Sequence, residues 1–109
     1  MTTKIFETYV FETREIDSAR TMAESILNVI FSKHQSDYLG SYFRWGEPYG
    51  QEIILQKNED DEGHPIEPEL HADQILLQIN LPSNPDLITS KMQQVTGVSL
   101  FKRRTIEPA

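Results

Sequence analysis

The chain has 109 residues and no cysteine, and its 17 Asp and Glu against 10 Lys and Arg give a net charge of −7. That length makes a single domain, 1–109, with one core, and a hydrophobic fraction of 38 % is too high for a disordered acidic tail. The missing cysteine excludes disulfides, thiolate nucleophiles and zinc–thiolate sites, and the acidic balance argues against nucleic-acid binding, which needs clustered Lys and Arg.

Residues 4–12, KIFETYVFE, are aromatic and β-branched and predict a strand. Glu7, Glu12 and Arg14 interrupt this region, so no apolar core of signal-peptide length is expected. No later run approaches a membrane span. The expectation is a cytoplasmic protein with no membrane partner. Asp17 or Ser18 offers an N-cap for a helix over about 18–33. Its apolar stripe is Ala19, Met22, Ala23, Ile26, Leu27 and Ile30. His34, just beyond, is placed to cap the last carbonyls.

The stretch 38–50, YLGSYFRWGEPYG, predicts a strand from Tyr38 to Trp45 and a turn over Gly46–Gly50. Gln51–Lys57 follows as its hairpin partner. Gln74–Leu81 alternates Ile75, Leu77, Ile79 and Leu81 on one face, the pattern of a half-buried strand. A second helix begins at Asn84 as cap and Pro85 at the first position. Leu87, Ile88, Met92 and Val95 form its apolar side, and Gly97 stops it. Val98–Ile106 is the last strand. The expected order is β-α-β-β-β-α-β: an α+β fold, one mainly antiparallel sheet of about five strands with both helices on one face.

The segment from Glu59 to Asp73 holds Glu59, Asp60, Asp61, Glu62, Glu67, Glu69 and Asp73 and no Lys or Arg. Those seven acids equal the whole net charge, since the other 94 residues carry 10 acids and 10 bases. Such a run is either a solvated loop that keeps the protein soluble or a surface for a positive partner. Residues 58–69 also repeat the skeleton of a calcium loop, with oxygen side chains at positions 1, 3, 5 and 12 and Gly63 at position 6. Asn58 at position 1, Pro65 and Pro68, and strands on both flanks argue against that reading. His64 and His71 have no closed-site spacing. No G-x-S-x-G turn or phosphate loop is present, so neither catalysis nor a cofactor is expected. Trp45 and Tyr49, near the turn, are candidate contact anchors, because Trp and Tyr favour interface hot spots. Lys102-Arg103-Arg104 is too small a cluster for nucleic acid and is expected to border the sheet and pair with acids.

Aromatic-Gly-x-Tyr-Phe at 38–43, Gly50–Asn58, the acidic proline-containing loop, Ile75–Ile79 and Leu100–Arg104 together resemble small bacterial immunity proteins of polymorphic toxin and contact-dependent growth inhibition systems. The resemblance covers most of residues 38–104. It implies a cytoplasmic module that binds a cognate toxin domain with a basic surface, often a nuclease, and blocks its active site or substrate path. It supplies no catalytic residues. The seven acids with Trp45 and Tyr49 are therefore the expected contact set. The alternative is a metal- or small-ligand-binding domain built on 58–73.

Overall fold

Side-chain alternation on the strands decides the layering. In the computed structural model, residues 4–36, 40–47, 50–80, 82 and 84–107 are described. The strands are β1 (Lys4–Phe11), β2 (Ser32–Ser36), β3 (Gly40–Gly46), β4 (Glu52–Lys57), β5 (Ile75–Asn80) and β6 (Val98–Ile106). Helix α1 (Ile16–Leu27) follows β1, and α2 (Pro85–Gln93) precedes β6. The strands form one antiparallel sheet in the order β2-β3-β4-β5-β1-β6. The architecture is the expected α+β sheet with two helices, plus one strand. Strands β4-β5-β1-β6 and the helices make the split β-α-β arrangement, which β2 and β3 extend at one edge.

Odd-numbered residues of the central strands face the helices. Tyr9, Phe11, Phe43, Ile53, Leu55, Ile75, Leu77 and Ile79 pack with Ala19, Ala23 and Leu27 of α1 and Met92 of α2. Alanine at 19 and 23 lets the α1 backbone lie close to the sheet. The other face differs from expectation. Leu76 is 0 % exposed and Gln56 1 %, although both point away from the helices. Strand β5 is therefore buried on both faces at Leu76, where the acidic segment folds back over the second, while Gln78 and Asn80 on that face stay half-buried.

The first helix is shorter than its apolar stripe predicts. Asn28 adopts the left-handed conformation at φ 55° and ends α1 after Leu27, and its N–H bonds to the Glu24 carbonyl. The Glu24 carboxylate then accepts the Phe31 N–H at 2.9 Å and starts the chain toward β2. Ile30, counted in the stripe, is 83 % exposed. Strand β2, SKHQS, buries no residue fully, so it carries no period-two signal; pairing with β3 holds it. His34 consequently stacks on Tyr42 at 5.5 Å instead of capping a helix. The helix N-cap is Glu15, not Asp17 or Ser18, and it makes no side-chain cap bond.

The later boundaries follow the sequence more closely. Gly46 enters the β3–β4 turn at φ 104°, where an added Cβ would meet the Gln51 carbonyl oxygen at 2.1 Å, so only glycine fits. Asn84 caps α2 as expected, its side chain accepting the Leu87 N–H at 3.2 Å. That helix ends at Gln93 with Gln94 as its C-cap, before Gly97. Gly97 instead turns the chain into β6 at φ 91°, and its carbonyl accepts the Glu12 N–H at 2.8 Å. Tyr38, Leu39, Tyr49 and Leu81 of the expected elements lie outside the described residues.

A carboxylate enters the layer between sheet and helices. Glu7 is buried beneath α2, with the Tyr9 hydroxyl at 3.3 Å, the Thr89 hydroxyl at 3.5 Å and the Arg103 guanidinium at 3.8 Å. Burial, then the Glu7 charge, pushes the Tyr9 phenol up to about 12 from its ordinary 10.0. A raised acid is held neutral by the fold, so its stabilisation is complete below the unfolded value and disappears as pH rises through the folded one. In an ultraviolet titration, one of the four tyrosines should ionise near pH 12, and Tyr9→Phe should remove that step. A wild-type curve fitted by a single value near 10 would contradict the burial of this phenol against a carboxylate.

Candidate functional site

The acidic segment is folded, and one amide folds it. Asn58 follows β4 and is fully buried. Its Oδ1 accepts the Glu67 N–H at 2.7 Å. Its Nδ2 donates to the carbonyls of Glu67, Leu70 and His71 at 2.9, 3.1 and 3.1 Å. The Asn58 N–H reaches the Gln74 carbonyl at 2.7 Å, closing the base of the loop where β5 begins. An asparagine side chain carries both donor and acceptor, so one residue satisfies backbone groups that would otherwise need a strand or helix. Two ion pairs lie at the loop's outer parts. Glu67 meets Lys102 of β6 at 3.8 Å, as the sequence expected of the basic cluster, and Asp73 meets Arg14 at 2.6 Å.

The seven acids then divide by role. Asp60 is turned inward: its Oδ1 accepts the N–H groups of Glu62 and His64, each at 2.9 Å. Its own N–H bonds to the His64 carbonyl at 2.8 Å. These bonds, led by the His64 N–H, hold the Asp60 carboxyl below its ordinary range. Glu67 is mostly buried under its ion pair, and Asp73 is engaged by Arg14. Glu59, Asp61, Glu62 and Glu69 project into solvent. Glu62 has the His64 ring at 3.7 Å, and Glu59, Asp61 and Glu69 have no ion pair among the described residues.

The expected aromatic anchor Trp45 is not beside these acids. Trp45 is half-buried on the helix face, against the core near Leu27, Val29 and Ile53, at the opposite end of β4 from Asn58. Tyr49 lies outside the described residues. Beside the acids the structure instead opens a cleft of about 500 Å³. Ile16, Phe43 and Leu55 contribute apolar walls, Lys33 and Lys57 bases, and Asp61 part of the acidic side. Lys33 belongs to the unexpected strand β2, which is why the cleft could not be read from the helix that the periodicity predicts.

The calcium-loop skeleton is used differently. The side-chain oxygens at its positions 1 and 3, on Asn58 and Asp60, are taken by backbone N–H groups. Among the described residues no three His, Asp or Glu side chains converge as a metal set, and no helix is long and apolar enough to cross a membrane. Comparisons of the chain with protein-family models, curated proteins and solved structures give no match.

Removing the Asn58 amide should release the segment. Asn58→Ala is expected to lower the unfolding free energy by about 2–4 kcal/mol in urea, through buried backbone groups left without partners. Asn58→Asp should be no better, because a carboxylate cannot donate to the three carbonyls. A loss under about 0.5 kcal/mol, the level of a plain surface change, would show that the amide does not hold the loop. Asp60 gives a separate signature. Its lowered carboxyl stabilises the fold above the ordinary value of 3.8, and that contribution is lost as pH falls below it. Asp60→Ala should therefore flatten the acid limb of a stability–pH curve, and an unaltered limb would remove this role.

Proposed function

We propose that the chain is an immunity-type inhibitor. It acts by binding, not catalysis, and neutralises a bacterial toxin domain by laying the acidic segment across that domain's basic active site or substrate path. The observation that carries this reading is the ordered display of Glu59, Asp61, Glu62 and Glu69 on a loop anchored by Asn58. A nuclease must keep a positive cleft for phosphates, and fixed carboxylates compete for the same cations. An anchored loop loses little freedom on binding, which leaves more of the contact energy as affinity. Opposite fields also speed encounter. The cleft beside the acids adds apolar surface on which the stem of a partner Lys or Arg can lie.

A single exposed ion pair is worth only about 0–1 kcal/mol, so the effect must be cooperative across several acids. The test uses a basic toxin domain encoded beside this reading frame. Replacing Glu59, Asp61, Glu62 and Glu69 together by Gln or Asn should weaken binding at least tenfold and flatten its salt dependence. The Asp73→Asn control should change it little. Affinity that is constant between about 50 and about 500 mM salt, roughly a threefold change in Debye length, would overturn the electrostatic role of the segment.

A further inference from the structure

The second face of the sheet carries a recess of about 200 Å³ that the acidic display does not use. Phe6 and Thr8 of β1, Gln78 and Asn80 of β5, and Lys102 and Arg104 of β6 line it, with Glu67 at the rim. Strand register builds this arrangement. Thr8 lies between Gln78 and Lys102 in one cross-strand row, and Phe6 lies between Asn80 and Arg104 in the next. A hydroxyl, two amides, an ammonium and a guanidinium therefore converge from three neighbouring strands. The groups are only lightly engaged. Lys102 stands 3.8 Å from Glu67, beyond hydrogen-bond length. The Arg104 guanidinium lies 5.1 Å over the Phe6 ring, and the Asn80 amide reaches Glu52 at 3.5 Å.

We propose that this recess is an oxyanion site that takes a phosphate group, from inorganic phosphate or a small phosphomonoester. The donor set matches that chemistry: Arg offers a planar fork, Lys a point charge, and Thr8 and the amides neutral hydrogen bonds. Drug-sized ligands need roughly 300–1,000 Å³, so the recess admits the phosphate and little more. Glu67 is the internal competitor. Its carboxylate offsets one of the two cations and leaves a single positive charge in excess. With Lys102 57 % exposed and screened, affinity is expected to be on the order of millimolar.

The test is an NMR titration of the whole chain with sodium phosphate, against sodium chloride at matched ionic strength. Saturable shifts should appear at the amides of Thr8, Gln78 and Lys102 and at the side-chain amides of Gln78 and Asn80. Glu67→Gln should tighten binding by about fivefold, since it deletes the adjacent negative charge. Lys102→Ala and Arg104→Ala, both at exposed positions, should each weaken it about tenfold with the circular dichroism unchanged. Ethyl phosphate in a parallel titration identifies the source: tighter binding assigns a phosphomonoester, equal or weaker binding the free anion. Shifts that match those of chloride, or a phosphate affinity untouched by both alanine variants, would overturn the site.

Discussion

The second layer of this protein depends on one buried amide. A sheet with helices on one side leaves its other face to water unless something covers it. Here the cover is the most highly charged stretch of the chain, in which Pro65, Ile66, Pro68 and Leu70 stand among seven acids. Asn58 resolves that conflict by hydrogen bonding. It fixes the backbone at 67–71, so Leu76 and Gln56 are shielded although the shielding segment is largely acidic. The surface charge and the buried sheet face are thus two sides of one loop.

That arrangement makes the composition of the segment intelligible. Asp60 ties a local turn, while Glu67 and Asp73 have partners in Lys102 of β6 and Arg14. Others do nothing for the fold and remain outward, where they cost little and can meet a cation. The two duties fall on different residues, so the outward acids can be replaced without disturbing the Asn58 anchor.

How much the sequence reveals depends on whether each element announces itself locally. Strands β1, β4, β5 and β6 have strong β-formers, and α2 has Asn84 and Pro85, so their types follow directly from the chain. Strand β2 does not, since its residues bury little and their pairing is entirely non-local. The helix stop at Asn28 was hidden because Val29 and Ile30 continue a plausible apolar stripe past it. The concentration of charge marks a segment that the structure shows folded, with Glu59, Asp61, Glu62 and Glu69 exposed on it. The inward turn of Asp60, the placement of Trp45 on the core and the cleft next to β2 all depend on contacts distant in sequence, which no local pattern encodes.

Strand order has a consequence in time. Strand β1 is made early, yet its two neighbours are β5 and β6, whose residues come late. Closing the sheet centre therefore means joining chain segments that are far apart, the kind of contact that slows a folding transition. During synthesis β2, β3 and β4 can pair as a meander, while β1 waits for β5 and the Glu7–Arg103 pair waits for β6. A shortened chain ending before β6 would keep β1 as an open edge, apolar on one side and able to pair with other chains.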